Sequence, residues 1–338
     1  MSGHIHQPIH PAIRPLLDPE YAAFHDTYFQ YDLPDEDQTW DSSVRTAPRP
    51  WPSTGHPHTP VGSIKDILLP SFPIRVFTPT APKPSSRYPV FLWFHGGGWA
   101  VGGLDDGNDL CTMVCQIAKC VVVTVGYRLA PENPYPAAVE DAVSALQWVA
   151  SLEGSSTLNV NPSRIATGGT SAGGNIAAVL SLKASQLSPP ISIRAQILIV
   201  PVIDNTATVE TIWKENQYAP LLTPTRMEWY RAMYLPNPSD ALNWDASPNL
   251  APAELLAKSP STWIAVSGQD LVAPEAVLYA QQVERAWKQE GVQGRDAVVK
   301  AYEGATHSIL AMAGVLGQGA QLLRDCAEDV AKVFEGPY

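Results

Sequence analysis

Arg164-Ile165-Ala166-Thr167-Gly168-Gly169-Thr170-Ser171-Ala172-Gly173-Gly174-Asn175-Ile176-Ala177-Ala178 is the stretch from which the rest of the chain can be interpreted. Its centre, Gly169 to Gly173, matches G-x-S-x-G, and the surroundings give the match its weight. A short strand, RIATGG (164–169), precedes it, and a helix of small residues, SAGGNIAAVLSLKAS (171–185), follows. A serine on so tight a strand-to-helix turn has strained backbone angles, and its neighbours must be nearly free of side chain to clear strand and helix. Gly169 and Gly173 meet that need. The motif alone leaves a Gly-rich helix entry with an N-capping serine as the plainer reading, so the decision rests on the residues around it.

Upstream, VFLWF (90–94) and CVVVTVGY (120–127) are unbroken apolar runs of the kind buried on both faces of a sheet. A helix from Leu110 to Ala118 separates them, and AAVEDAVSALQWVA (137–150) has apolar residues at helical spacing. Before these, IKDILLP (64–70) and IRVFTP (74–79) form two short strands joined by a turn at Ser71 and Pro73. Downstream come strands AQILIV (195–200), TWIAVSG (262–268) and AVVKAY (297–302), with helices EAVLYAQQVERAWKQ (275–289) and about Ala320 to Phe334. Strands separated by helices predict an α/β fold with a mainly parallel central sheet and helices on both faces.

Two segments break the rhythm. Residues 1–60 are rich in Pro, His and aromatics, with one helix around Pro19 to Tyr31, and read as an arm or cap. Residues 61–338 form the catalytic domain, interrupted at about 205–250 by an insertion carrying Trp213, Tyr218, Trp229, Tyr230, Tyr234 and Trp244. Such a cluster of rings between two core strands reads as a second piece of cap.

His95-Gly96-Gly97-Gly98-Trp99 follows VFLWF directly, where a loop lies beside the serine. Consecutive glycines expose backbone N–H groups without side chains, as a developing oxyanion requires. His95 is read as orienting this loop. Seven of the eight histidines precede Ser171, and only His307 follows it. In sites built on this motif the chain order is Ser, acid, His, so His307 is the base, in the turn-like segment Glu303 to His307. Two aspartates follow core strands, Asp204 and Asp270. Asp270 is preferred because Gly268-Gln269-Asp270 leaves its strand immediately before a helix; it would hold the imidazole in the required tautomer. Asp204 is then a loop or cap residue.

Together these residues resemble the hormone-sensitive-lipase family of α/β-hydrolases, also called bacterial class IV esterases. The resemblance runs from about Val90 to His307 and adds Tyr127-Arg128-Leu129-Ala130-Pro131-Glu132 and Pro136-Ala137-Ala138-Val139-Glu140-Asp141 to the motifs above. It implies an α/β-hydrolase fold with a cap that limits acyl length. It also implies an oxyanion hole of the N–H groups of Gly97, Gly98 and Ala172, and hydrolysis of short- to medium-chain acyl esters through an acyl-enzyme on Ser171. Neither metal nor organic cofactor is needed. Two positions depart from the family pattern: Thr170 stands where Asp is usual before the nucleophile, and Pro274-Glu275 where Asp-Glu is usual after the acid. The first bears on support of the elbow, the second on the acid loop.

The formal net charge of -11 and the pI near 5.1 argue against a phosphate backbone as partner, since that affinity comes from clustered Lys and Arg. No stretch reaches the roughly 20 apolar residues that span a bilayer, and the N-terminus lacks a signal-peptide core. A soluble protein of the cytoplasm acting on a small-molecule ester is expected. Cys111, Cys115, Cys120 and Cys326 read as buried thiols, because no second pair or nearby His completes a metal site. Rivals are an acyltransferase or a tailoring enzyme for amides or lactones using the same acyl-enzyme, and a non-catalytic binding protein on this scaffold, against which the complete Ser171, Asp270, His307 set stands. A homodimer through an edge strand is left open.

Overall fold

The computed structural model describes residues 3–335. Along the chain the elements are α1 (Pro19–Thr27), β1 (Ser63–Leu68), β2 (Pro73–Thr78), β3 (Tyr88–Phe94), α2 (Asn108–Ile117), β4 (Val121–Val125), α3 (Ala137–Ala150), α4 (Leu152–Leu158) and β5 (Val160–Thr170). They continue with α5 (Ala172–Ala184), β6 (Ala195–Ile199), α6 (Pro224–Tyr234), α7 (Ala253–Leu256), β7 (Ser261–Gln269), α8 (Ala273–Gln289), β8 (Ala297–Thr306) and α9 (Gly317–Glu335). One sheet holds all eight strands in the order β1-β2-β4-β3-β5-β6-β7-β8. β2 runs antiparallel to β1 and β4, and every other pair is parallel.

The unbroken apolar runs are explained by this placement. β3 and β4 lie inside the sheet and are buried along their whole length. The side chains of one sheet face join α3, α5 and α8 in a core that includes Leu92, Leu146, Ile176 and Val283. Those of the other face join α2 and α9 through Phe91, Trp93, Leu110, Leu323 and Val330. α9 shows the spacing that makes this work: Leu322, Leu323, Cys326, Ala327, Val330 and Phe334 are buried, one stripe at helical period facing the sheet.

The chain leaves β3 toward β4 on one side and returns as β5 on the other. At such a reversal the loops beyond the carboxyl ends of the strands part and leave a crevice. The loop after β3 begins at His95 and the turn after β5 holds Ser171, so the topology alone brings them together.

The expected elements are present with adjusted ends. The arm helix stops at Thr27 and a 3₁₀ turn, Phe29–Tyr31, completes the expected span. β8 continues four residues past Tyr302: Ser267 pairs with Tyr302 and Gln269 with Thr306, so the turn-like segment before His307 is a bulge inside the strand. Arm residues Ile9, Ile13, Leu17, Tyr21 and Phe29 pack with Met312 and Leu316 in a separate small core. His10 stacks on Tyr218 with ring centroids 3.9 Å apart, Trp40 meets Trp229, and Glu36 pairs with Arg226 at 2.6 Å. Residues 205–250 thus meet the arm above the carboxyl end of the sheet.

Candidate active site

β5 passes into α5 with a single residue between them. Ser171 takes φ 55 and ψ −120, a conformation costing of order 1–3 kcal/mol outside glycine. Three backbone hydrogen bonds hold it there: Ser171 N–H donates to Ile199 O (2.9 Å), and Ser171 O accepts from Asn175 N (3.0 Å) and Val202 N (3.2 Å). The glycines on either side are required by close approach. A Cβ on Gly169 would lie 2.1 Å from Gly173 O, and one on Gly173 would lie 2.1 Å from Phe94 O. Asn175, fully buried one turn into α5, donates to Ala246 O at 3.0 Å, and Asn205 donates to the same carbonyl at 2.7 Å. The helix after the serine therefore anchors the far end of the insertion.

Asp270 is the first residue beyond β7 and is completely buried, and His307 is the first beyond β8. His307 Nδ1 lies 3.0 and 2.9 Å from the two Asp270 carboxylate oxygens, and Nε2 lies 2.7 Å from Ser171 Oγ. Because an ionised carboxylate only accepts, Nδ1 carries the proton of the neutral ring, and Nε2 accepts from the hydroxyl. Val272 N–H donates to Asp270 Oδ1 at 3.3 Å. Asp204 is not part of this line. Its Oδ1 accepts from Thr206 N (2.8 Å) and the Thr206 hydroxyl, the local turn that Asp side chains form.

His95 holds the loop opposite. Its Nδ1–H donates to Gly96 O at 2.7 Å, its ring stacks on Tyr127 with centroids 4.3 Å apart, and the Tyr127 hydroxyl donates to His95 O at 2.9 Å. Complete burial lowers its pKa below the ordinary histidine value, so the ring stays neutral. Ala100 and Val101 donate to Gly97 O, turning the loop tightly, and Gly98 adopts φ +56. Among the described residues, the N–H groups of Gly97, Gly98 and Ala172 have no acceptor. Beneath the loop, Arg128 pairs with buried Asp141 at 2.8 Å, Ala130 N–H donates to Trp99 O, and Trp99 stacks on Tyr234. The YRLAPE and PAAVED segments are the footing on which the glycine loop rests.

The hydroxyl opens into a cavity of about 860 Å³. Val202, Leu221, Leu222, Met227 and Tyr230 line it on the side of the insertion, and Trp51 and His56 on the side of the arm. These residues were not singled out from sequence, apart from the ring of Tyr230. Glu275 was noted only as a departure, yet it is buried and accepts from Ile203 N (2.7 Å), Asp204 N (3.3 Å) and Trp213 Nε1 (3.0 Å). It ties the loop after β6 to the helix after Asp270. Burial pushes its carboxyl up to about 8. The signal for it was its place one turn beyond Asp270.

All four cysteines are buried and unpaired, and burial raises their thiols, Cys115 to about 12. Among the described residues no group of three or more His, Cys, Asp or Glu could hold a metal, and no helix is long and apolar enough to cross a membrane. What the site offers is a hydroxyl hydrogen-bonded to a neutral imidazole, itself held by a buried carboxylate. Such a hydroxyl can pass its proton to the ring while attacking an electrophilic carbon.

Comparison with known proteins shows the family to which the chain is similar. A family model described as α/β hydrolase fold matches residues 91–311. An AB hydrolase superfamily protein of Schizosaccharomyces pombe is 37% identical over 97% of both chains. The carboxylesterase NlhH of Mycobacterium tuberculosis is 32% identical over 76% of this chain and 79% of its own. Among solved structures, EstE1, a thermophilic carboxylesterase cloned from a metagenomic library, superposes with a TM-score of 0.72 at 31% identity, covering 82% of this chain and 91% of its own.

Proposed function

The chain belongs to the hormone-sensitive-lipase-like branch of the α/β-hydrolase fold family, and from that premise we propose that it is a serine carboxylic ester hydrolase acting through an acyl-enzyme. Ser171 Oγ attacks the ester carbonyl carbon as His307 Nε2 takes the hydroxyl proton. Asp270 keeps the imidazole in its tautomer and stabilises the imidazolium. The N–H groups of Gly97, Gly98 and Ala172 receive the oxyanion, each contributing roughly 2.7–4 kcal/mol in the transition state. His307 then gives its proton to the leaving alcohol. A water molecule, deprotonated by the same ring, releases the carboxylic acid and restores Ser171.

The observation that carries this reading is the continuous line from Ser171 Oγ through His307 to buried Asp270, at 2.7 and 2.9 Å. For the substrate we propose short- to medium-chain or aromatic acyl esters, supported by the apolar wall of Val202, Leu221, Leu222, Met227 and Tyr230. The arm and the 205–250 insertion act together as the cap over that wall. Four unpaired buried cysteines support a reducing compartment such as the cytoplasm. Exposed Val298 and Val299 on the outermost strand β8 are the support for a homodimer paired along that edge.

The test is partition of the acyl group. p-Nitrophenyl butyrate and phenyl butyrate, hydrolysed in the presence of methanol, are expected to give one and the same ratio of butyrate to methyl butyrate, because both pass through the same acyl-enzyme. Ratios that depend on the leaving group would overturn the mechanism. p-Nitrophenyl palmitate is expected to be a far poorer substrate than the butyrate.

A further inference from the structure

The glycine loop after β3 is strained, and one of the side chains that hold it comes from the arm. Gly97, Gly98 and Trp99 take φ of +107, +56 and +58 in succession. Glycine tolerates this, but in Trp99 such a backbone persists only where the surroundings fix it. Two restraints come from the catalytic domain and its insertion. Trp99 O accepts from Ala130 N at 2.9 Å, and the Trp99 ring stacks on Tyr234 with centroids 4.2 Å apart.

The third is Arg45. It stands at the end of a 3₁₀ turn, Ser42–Arg45, which Asp41 starts by accepting from Ser43 N at 2.8 Å. Its guanidinium lies over the Trp40 ring at 5.2 Å. From there Arg45 Nε donates to Ala100 O at 2.7 Å, and Nη2 donates to Ala130 O at 2.8 Å and Glu132 Oε2 at 2.6 Å. Ala100 and Ala130 are buried, so their carbonyls need donors inside the protein, and one guanidinium serves both.

These contacts continue through the backbone. Ala100 O belongs to the peptide whose N–H is that of Val101, and Val101 N–H donates to Gly97 O at 2.9 Å. Gly97 O in turn belongs to the peptide whose N–H is that of Gly98. A second branch, from Ala130 N–H through the Trp99–Ala100 peptide, reaches the same Gly97 O at 3.0 Å. Arg45 holds the head of the first branch and the carbonyl of the residue that heads the second.

We propose that Arg45 is a positioning residue for the oxyanion hole: from the arm it heads a hydrogen-bonded chain, through the Ala100–Val101 peptide and the Gly97–Gly98 peptide, that ends at Gly98 N–H. The inference rests on that N–H being an oxyanion donor. The chain fixes the direction of the donor, and a cationic head polarises each peptide after it. The arm is thereby part of the apparatus that stabilises the transition state.

Arg45→Met keeps a stem over Trp40 and removes every donor. For p-nitrophenyl butyrate it is expected to lower kcat about tenfold, short of the roughly 10²–10³ lost with an oxyanion donor itself, with KM within about twofold of wild type. Propyl trifluoromethyl ketone tests the hole directly. Ser171 Oγ adds to its carbonyl carbon as the hydroxyl proton passes to His307, and the carbonyl oxygen becomes an oxyanion. Its Ki should rise by the factor by which kcat/KM falls. Arg45→Lys keeps the charge but loses the planar fork, and should lie between wild type and Arg45→Met. Arg14→Met breaks a bidentate pair with Asp26 inside the arm, and should leave both kcat and Ki unchanged. A folded Arg45→Met with wild-type kcat and Ki overturns the proposal, as does an equal loss in Arg14→Met, which would make the effect one of arm stability. Should Arg45→Met fail to fold, Arg45→Lys decides by the same two measurements. Failure of the underlying reading would look different: a folded Gly98→Ala would keep wild-type kcat and Ki, and the proposal would fall with it.

Discussion

Replacing Gly98 by alanine adds one methyl group at the place where the glycine loop meets the insertion. The Cβ would lie 2.2 Å from Tyr230 Cγ, with Cδ1 and Cδ2 of the same ring at 2.3 and 2.6 Å. Ordinary contact begins near 3.4 Å, so ring and loop must separate by about 1.2 Å, the scale of misplacement that can cost a hundredfold in rate. The backbone adds to the strain, since φ is +56 at this position, which costs an alanine roughly 1–2 kcal/mol. Tyr230 is buried against Trp229 at 5.0 Å between ring centroids, so the loop yields and the Gly98 N–H leaves its aim. Loss of one oxyanion donor costs about 10²–10³ in kcat. Gly98→Ala is therefore expected to lower kcat for p-nitrophenyl butyrate at least about a hundredfold with little change in KM. Adding Tyr230→Ala, which removes the ring, should restore part of the loss. A folded Gly98→Ala within about threefold of wild type would show that this N–H is not aimed at the transition state.

Asp270→Asn should cut kcat by roughly 10⁴ by favouring the wrong imidazole tautomer, whereas Asp204→Asn, which can keep its turn, should stay within about threefold of wild type; comparable losses in the two would contradict the assignment of the acid. Glu275 has its carboxyl raised from an ordinary 4.5 to about 8, so between those values the unfolded chain binds fewer protons than the native one and stability falls as pH rises. Thermal melts from pH 5 to pH 8 should show wild type losing ground to Glu275→Gln across that window, and parallel curves would refute the shift. Glu36→Ala leaves Arg226, whose side chain is 11% exposed, without its carboxylate and with Gln7 Oε1 still accepting at 3.2 Å, and should lower stability by roughly 3 kcal/mol in urea unfolding; a loss under about 1 kcal/mol would make the pair no better than a solvated one.

What could be seen in the sequence was local. The turn around Ser171, the glycine loop and the unbroken strands each declare themselves within a dozen residues, because close backbone approach and burial on two faces restrict composition strongly. That Asp270 rather than Asp204 lies beside His307 was also legible, since only Asp270 leaves its strand directly into a helix. Gly304 misled: a glycine near a strand end reads as a stop, and here it sits in a bulge that lets β8 continue to Thr306. Helix α6 carried a signal that was passed over, an N-capping Thr223, Pro224 in its first turn, and Met227, Tyr230 and Tyr234 on one face. The arm helix was legible from its spacing, but the Asp18 N–H bond to Gly304 O that docks it joins residues far apart in the chain. Glu275 is the same case, its partners Ile203 and Trp213 lying before and within the insertion. Long-range partnerships of polar groups are set by the topology and leave little trace in any one segment.

The central claim is that Ser171 is a nucleophile activated by His307. Its most direct test is labelling of the intact protein with a fluorophosphonate, followed by mapping of the modified peptide. The account predicts one label per chain on Ser171, and its loss in His307→Ala. A folded wild-type protein that takes no label, or a His307→Ala variant that labels as fast as wild type, would contradict it.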